Sequence, residues 1–221
     1  YALDRSLVGS EMCIRDSNLF ARDVNVNEAV TSSKTDIFLS NTGDGTVNLD
    51  ANIGPNGAIT GTGTNERINF GVMPNSLAVD LKGGSNTLDY SDLTSAVHLN
   101  FATRSGGGMS SFTEVDEVIG TQSASDIITG QDEATAWIVD VDNSGTYAPA
   151  SRMGSPIAFS DFENINSGNQ NDTILFQNQA QLFGLFHGGG GFDTLTIDDT
   201  NWVADATYTI TEGLISRNPQ Y

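Results

Sequence analysis

A block of sequence recurs within this chain. "NERINFGVMPNSLAVDLKGGSNTL" (residues 65–88) returns as "NDTILFQNQAQLFGLFHGGGGFDTL" (residues 171–195). Asn65, Ile68 and Phe70 align with Asn171, Ile174 and Phe176 at a spacing of 106, and Gly83 and Gly84 align with Gly189 and Gly190. After a one-residue insertion, Thr87 and Leu88 align with Thr194 and Leu195. Between these anchors Leu77 stands against Phe183 and Val79 against Leu185. Such self-similarity restricts the fold more than any local pattern does. A repeat of this size cannot bury its apolar side alone and has to bury it against its neighbours.

Two further echoes share the pattern. "FTEVDEVIG" (112–120) resembles "FSDFENINSG" (159–168), pairing Phe112 with Phe159, Glu114 with Asp161 and Val118 with Ile165. Each leads through a Gly/Asn/Ser stretch to Asp-x-Ile, at Asp126 to Ile128 and Asp172 to Ile174. "ITGTGTNERI" (59–68) is a third version, with Glu66 in the place of the Asp. Phe112, Val115 and Val118, like Phe159, Phe162 and Ile165, recur every three residues. That spacing fits either one helical turn or a corner leading into a strand.

The remaining apolar residues alternate in short runs: "TVNLD", "LAVDL", "AVHLNF", "AWIVDV", "TILF", "TLTI" and "TYTI". They are rich in β-branched and aromatic residues and are separated by Gly/Asn/Asp/Ser turns, the signature of short strands. The expected fold is all-β, a parallel β-solenoid of degenerate repeats, with repeat units over approximately 18–101 and 102–210. A β-sandwich is the alternative, since it also has short strands with regular turns, but it has no reason to repeat glycines and Asp-x-Ile at matching places.

Charge narrows the partners. With 28 acidic residues against 9 basic ones, the chain carries a formal charge of −19. It repels phosphate backbones, which argues against nucleic acid. Lys34 and Lys82 are the only lysines, which argues against an anionic membrane surface. Divalent cations, high salt and plain solubility all suit such a surface. No run of 18 apolar residues is present, so no membrane insertion by a helix is expected.

"LVGSEMCIRDS" (Leu7 to Ser17) resembles the translation of a transposon-derived sequencing adapter, and residues 1–17 are therefore set aside from fold reasoning. Without them the balance is 25 acidic against 7 basic residues, a net of −18. Cys13, the single cysteine, goes with them, leaving no disulfide, thiolate nucleophile or cysteine zinc site. The chain has no initiator Met and stops at "ISRNPQY" within an unfinished pattern. The expectation is an internal segment, 18–221, truncated at both ends.

"GGGGFDTLT" (188–196) fits the nonapeptide Gly-Gly-x-Gly-x-Asp-x-(large apolar)-x through Gly188, Gly189, Gly191, Asp193 and Leu195. Through it the region 59–210 resembles the haemolysin-type (RTX-like) calcium-binding repeats of large bacterial surface and secreted proteins. The resemblance implies a parallel β-roll or β-helix, an extracellular or cell-surface location and a spacer or adhesin role. It also implies calcium-assisted folding, with cell-surface or matrix components as partners. Carried over by position, the calcium residues are Gly188, Gly189, Gly191 and Asp193, with Asp172 and Asp126 in degenerate copies. Ca²⁺ takes six to eight oxygens, more than one turn supplies, so an ion has to be shared between consecutive coils. Only one nonapeptide here is complete; "SGNQNDTIL" (167–175) and "TQSASDIIT" (121–129) lack glycines, and "GGSNTL" (83–88) carries Asn86 where the Asp would stand. Glycine turns without ions are the competing reading of the same residues.

Other motifs read as architecture. "DVDNSG" (140–145) imitates the start of an EF-hand loop, but its twelfth position is Ser151, so a turn after the strand "AWIVD" is expected. His98 and His187 lie in or beside strands and have no metal-ligand spacing. Asp116/Glu117, Asp161/Glu163 and Asp198/Asp199 read as solvated strand ends or coil corners rather than acid/base pairs. Trp137, Trp202, Tyr90 and Tyr208 read as core or stacking residues, and Gly83-Gly84 lacks the rest of a phosphate loop. The expected function is a non-enzymatic structural or adhesin-like repeat segment. The alternative is a C-terminal or auxiliary module of a secreted hydrolase or polysaccharide-modifying enzyme. A β-helix catalytic in its own right is weakly supported by seven scattered basic residues.

Overall fold

The computed structural model describes the backbone of residues 5–7, 17–21, 23–27, 35–39, 43–54, 56–198, 206–211 and 214–219. Side chains are described for 23–27, 36–39, 43–54 and 56–198. Most of residues 1–17, and the side chains of Trp202 and Tyr208, lie outside this set. The chain divides into two compact units, Tyr1–Ser123 and Ala124–Tyr221. Among the described residues the only helical element is the 3₁₀ turn Ala150–Arg152, so the all-β expectation holds. No helix among them is long and apolar enough to cross a membrane.

In the first unit consecutive strands alternate between two sheets. One contains Arg5–Leu7, Asp23–Val26, Gly45–Leu49, Glu66–Phe70, Thr87–Asp89 and Glu117–Ile119, each parallel to the next. The other contains Ser17–Ala21, Thr35–Leu39, Ala58–Thr60, Leu77–Asp80 and Met109–Thr113, also parallel. The short strands Ser105–Gly106 and His98–Asn100 continue this second sheet antiparallel. The register advances by 20 to 23 residues at a time, Val24↔Val47↔Ile68↔Leu88, and then across an excursion to Val118. All five of these side chains are fully buried. Alternation produces this column: with a side-chain period of two, every second residue of each strand faces inward and the intervening Asn, Thr or Arg faces out.

The second unit mixes pairing directions. Thr135–Val141, Ser144–Pro149 and Ile157–Ser160 form an antiparallel meander. Thr173–Gln177 and Thr194–Asp198 add to Thr135–Val141 in parallel. A separate sheet holds Ile127–Thr129, Asn164–Asn166 and Phe186–His187, all parallel. Ala206–Thr211 and Leu214–Pro219 form an antiparallel hairpin. The core here is aromatic. Trp137 stacks on Tyr147 with ring centroids 4.3 Å apart and meets Phe159 edge-on, while in the first unit Phe70 stacks on Tyr90 at 4.3 Å. Trp137 and Tyr90 are core residues, as expected.

Two ambiguous motifs resolve as turns. The EF-hand-like stretch is a β-hairpin bend between Thr135–Val141 and Ser144–Pro149, with Asn143 at φ 54°. The three-residue periodicity marks corners, not helices. Glu114 and Asp161, the residues aligned between the two echoes, both take left-handed φ values (54° and 58°) immediately after strands.

Candidate functional site

The repeated polar residues meet at the entrances to the strands. Asn65 and Glu66 stand where the first unit enters Glu66–Phe70, and Ser85 and Asn86 stand 20 residues later, before Thr87–Asp89. The Ser85 N–H donates to Asn65 Oδ1 at 2.8 Å, and the Glu66 N–H donates back to Asn86 Oδ1 at 2.9 Å. The second unit repeats this clasp. The Phe192 N–H donates to Asn171 Oδ1 at 2.8 Å, and the Asp172 N–H donates to Asp193 Oδ1 at 3.0 Å. Each clasp satisfies two backbone donors at a corner, where no ladder partner is available.

The column continues beyond each clasp. Asn86 donates its own N–H to Asp116 Oδ2 at 3.0 Å, and Asn65 donates its N–H to Asp44 Oδ1 at 3.2 Å. In the second unit Asp172 Oδ1 accepts both the N–H (2.8 Å) and the hydroxyl (2.7 Å) of Thr135. Trp137 Nε1 donates to that same hydroxyl at 2.8 Å. The hydrogen-bond chain from Trp137 through Thr135 to the accepting Asp172 carboxylate ties the aromatic core to the corner.

The clasp corrects the alignment of the glycines. Gly84 and Gly191 each precede the clasp residue by two, with φ values of 92° and 103°. A Cβ on Gly84 would lie 2.1 Å from the Thr64 carbonyl oxygen, and one on Gly191 would lie 2.6 Å from that of Gln170. Gly84 therefore corresponds to Gly191, and the one-residue insertion falls before the glycine rather than after it. Both positions need a residue without a side chain, because the backbone of Thr64 or Gln170 occupies the space and φ is left-handed.

Of the residues assigned to calcium by resemblance, Asp172 and Asp193 are brought together by the clasp. Asp193 is exposed, with its carboxylate packed against Gly188 in the space that a side chain there would fill. Asp172 is 1 % exposed, and its Oδ2 has no hydrogen-bond partner. Gly189 turns with φ 84°, and the Gly190 N–H donates to the Gly168 carbonyl at 3.1 Å. Asp126 belongs to a different column, on the sheet of Ile127–Thr129. It is fully buried, and its N–H donates to Glu163 Oε2 at 2.9 Å. Among the described residues no three or more His, Cys, Asp or Glu side chains converge as a metal-holding group.

Glu163 departs from expectation. It is buried rather than solvated, and its Oε1 accepts Asn143 Nδ2 at 3.1 Å. Burial pushes its carboxyl above the ordinary glutamate range, reinforced by the nearby charges of Asp126 and Asp161. Asp161 is exposed, Asp116 and Glu117 are half-buried, and Asp199 lies outside the described residues. His98 and His187 are exposed on short strands. Burial also pushes Asp89 up, but hydrogen bonds from Ser91 and the Arg67 guanidinium outweigh it and hold the carboxyl below its usual range.

Glu66 is the clasp residue that the Asp-x-Ile pattern represents least well. Its available signal is the local sequence Asn-acid-x-Ile, shared by Asn65 to Ile68 and Asn171 to Ile174. No protein-family model, curated protein or solved structure matches the chain.

Proposed function

We propose that the chain is a non-enzymatic structural segment, a parallel β-solenoid whose stacked coils serve as a spacer or adhesin-like stalk of a large bacterial extracellular or cell-surface protein. The observation that carries this reading is the repeated clasp. It spends the chain's conspicuous polar residues on joining one repeat to the next, as a stack requires. The in-register parallel pairing of Val24, Val47, Ile68 and Leu88 supports the same reading. The partners of this reading are cell-surface or matrix components.

Calcium is the cofactor that this reading assigns. Gly188, Gly189 and Gly191 lead into Asp193, and Asp172 beside it retains a buried oxygen with no partner, the kind of group a bound cation satisfies. Asp126 stands apart and belongs to a second, weaker position. Pulling the chain from its ends tests the stalk. Stacked coils of 20 to 23 residues release one after another, in steps of about 75 Å of contour at roughly 3.5 Å per residue. A single all-at-once extension from each unit contradicts the stack.

A further inference from the structure

One Asn-Gly step occurs in the chain, Asn56–Gly57, in the sequence "GPNG" (54–57) that leads into Ala58–Thr60. Asn56 is exposed and turns with φ 60°, a left-handed value that asparagine tolerates. Gly57 is buried, and its carbonyl accepts the Ala78 N–H at 2.9 Å. Among the described residues neither the Asn56 carboxamide nor the Gly57 N–H is held by a hydrogen bond.

Such a step carries its own electrophile and nucleophile. The Gly57 main-chain nitrogen, once deprotonated, adds to Asn56 Cγ. The new C–N bond closes a succinimide ring, the bond from Cγ to the amide nitrogen breaks, and ammonia leaves. Water then opens the ring at either of its carbonyls. One product is aspartate; the other is isoaspartate, whose main chain runs through the former side chain. Glycine favours closure, because no Cβ shields the nitrogen and the backbone turns freely.

Similar steps elsewhere are restrained. At Asp44–Gly45, Asp44 Oδ1 accepts the Asn65 N–H at 3.2 Å, and the Gly45 N–H donates to the Asn65 carbonyl at 3.0 Å. At Asn143–Ser144 the carboxamide is buried and held at both ends. Its Nδ2 donates to Glu163 Oε1 at 3.1 Å, and its Oδ1 accepts the Phe183 N–H at 2.8 Å. Asn75–Ser76 is exposed, but the attacking nitrogen there belongs to a residue with a Cβ.

We propose that Asn56 is a self-modification site of the folded chain, converted through a Gly57 succinimide and water to isoaspartate and aspartate. Each event adds a negative charge to a chain already at −19. Isoaspartate also lengthens the main chain by one carbon just before Ala58–Thr60. The Gly57 carbonyl anchors the strand side of the turn, so the added length falls on the exposed side. The pairing of Ala58 with Asp36 and with Ala78 is retained.

The full chain, held at mildly alkaline pH in ¹⁸O-labelled water with and without urea, tests this by peptide mass spectrometry. Fragmentation that separates isoaspartate from aspartate reads the two products. The expected result is ¹⁸O at residue 56 of the folded chain, with both products present and a rate that rises with pH. That rate lies within about tenfold of the rate in urea, whereas Asn143 is slowed by folding far more than about tenfold. No ¹⁸O at residue 56 of the folded chain, while the urea sample converts, overturns the proposal. So does conversion to aspartate alone, which bypasses the ring, or equal slowing of Asn56 and Asn143 by folding.

Discussion

At Asn86 the side chain is enclosed and both of its ends are occupied; at Asp193, the corresponding position of the second unit, the side chain is exposed and acts only as an acceptor. Asn86 Oδ1 takes the Glu66 N–H, while Nδ2 donates to the carbonyls of Gly83 (3.0 Å) and Glu114 (2.7 Å). A carboxylate there would face two carbonyl oxygens with nothing to donate. Asp193 Oδ1 takes the Asp172 N–H and needs no donor of its own. At Asn86 the neighbouring carbonyls require a carboxamide.

The part that the two corners share predicts the largest effect. Gly84→Ala and Gly191→Ala each force a Cβ into the backbone of Thr64 or Gln170 at left-handed φ, and each is expected to cost about 3 kcal/mol or more. Urea denaturation of the two variants checks this; a cost near zero for either would separate the corners and break their equivalence. The part that differs comes next. Asn86→Asp sets a buried charge against the two carbonyls that Nδ2 serves and is expected to cost about 2–4 kcal/mol, whereas Asp193→Asn retains its acceptor and should change stability by less than about 1 kcal/mol. Equal costs would mean that enclosure does not distinguish the two positions.

A smaller effect comes from Glu163. Its folded carboxyl binds a proton more tightly than the unfolded chain does, so its contribution to stability is present at low pH and declines as pH rises through the ordinary glutamate range towards the raised value. Between about pH 4 and pH 7 the parent should lose more stability than Glu163→Gln, because the parent alone must ionise the buried carboxyl at this position. Parallel pH profiles for the two chains would show that burial does not control this carboxyl. Asp89 carries the opposite sign: its lowered value supports the fold above the normal carboxylate range and is lost as pH falls.

The strands were legible in the sequence because alternation with a period of two follows from burying one face, as at Val47, Leu49, Ile68 and Phe70. So were the glycine corners such as Gly84 and Gly191, because left-handed φ selects Gly, whereas the corners at Glu114 and Asp161 were not, since their three-residue spacing fits a helical turn equally well. The partners of the corner residues were not legible. Asn65 finds Ser85 twenty residues on, and Asp126 finds Glu163 thirty-seven residues on, with the difference taken up by the hairpin Thr135–Pro149. Inserted hairpins change the spacing without changing the column, so acids that look scattered along the chain stand one above another. Burial of Glu66, Asp126, Glu163 and Asp172 follows from that stacking, and no local pattern encodes it.

The stacked-coil account is tested most directly by proton–proton contacts across the strands, read by NMR on isotope-labelled protein. It predicts the parallel pattern, with contacts between amide and α protons but no close α–α pairs, linking the segments around Ile68 and Leu88 and those around Ile174 and Leu195. Close α–α proton contacts joining Glu66–Phe70 to Leu77–Asp80, its successor in sequence, would reveal antiparallel pairing of consecutive strands and contradict the account.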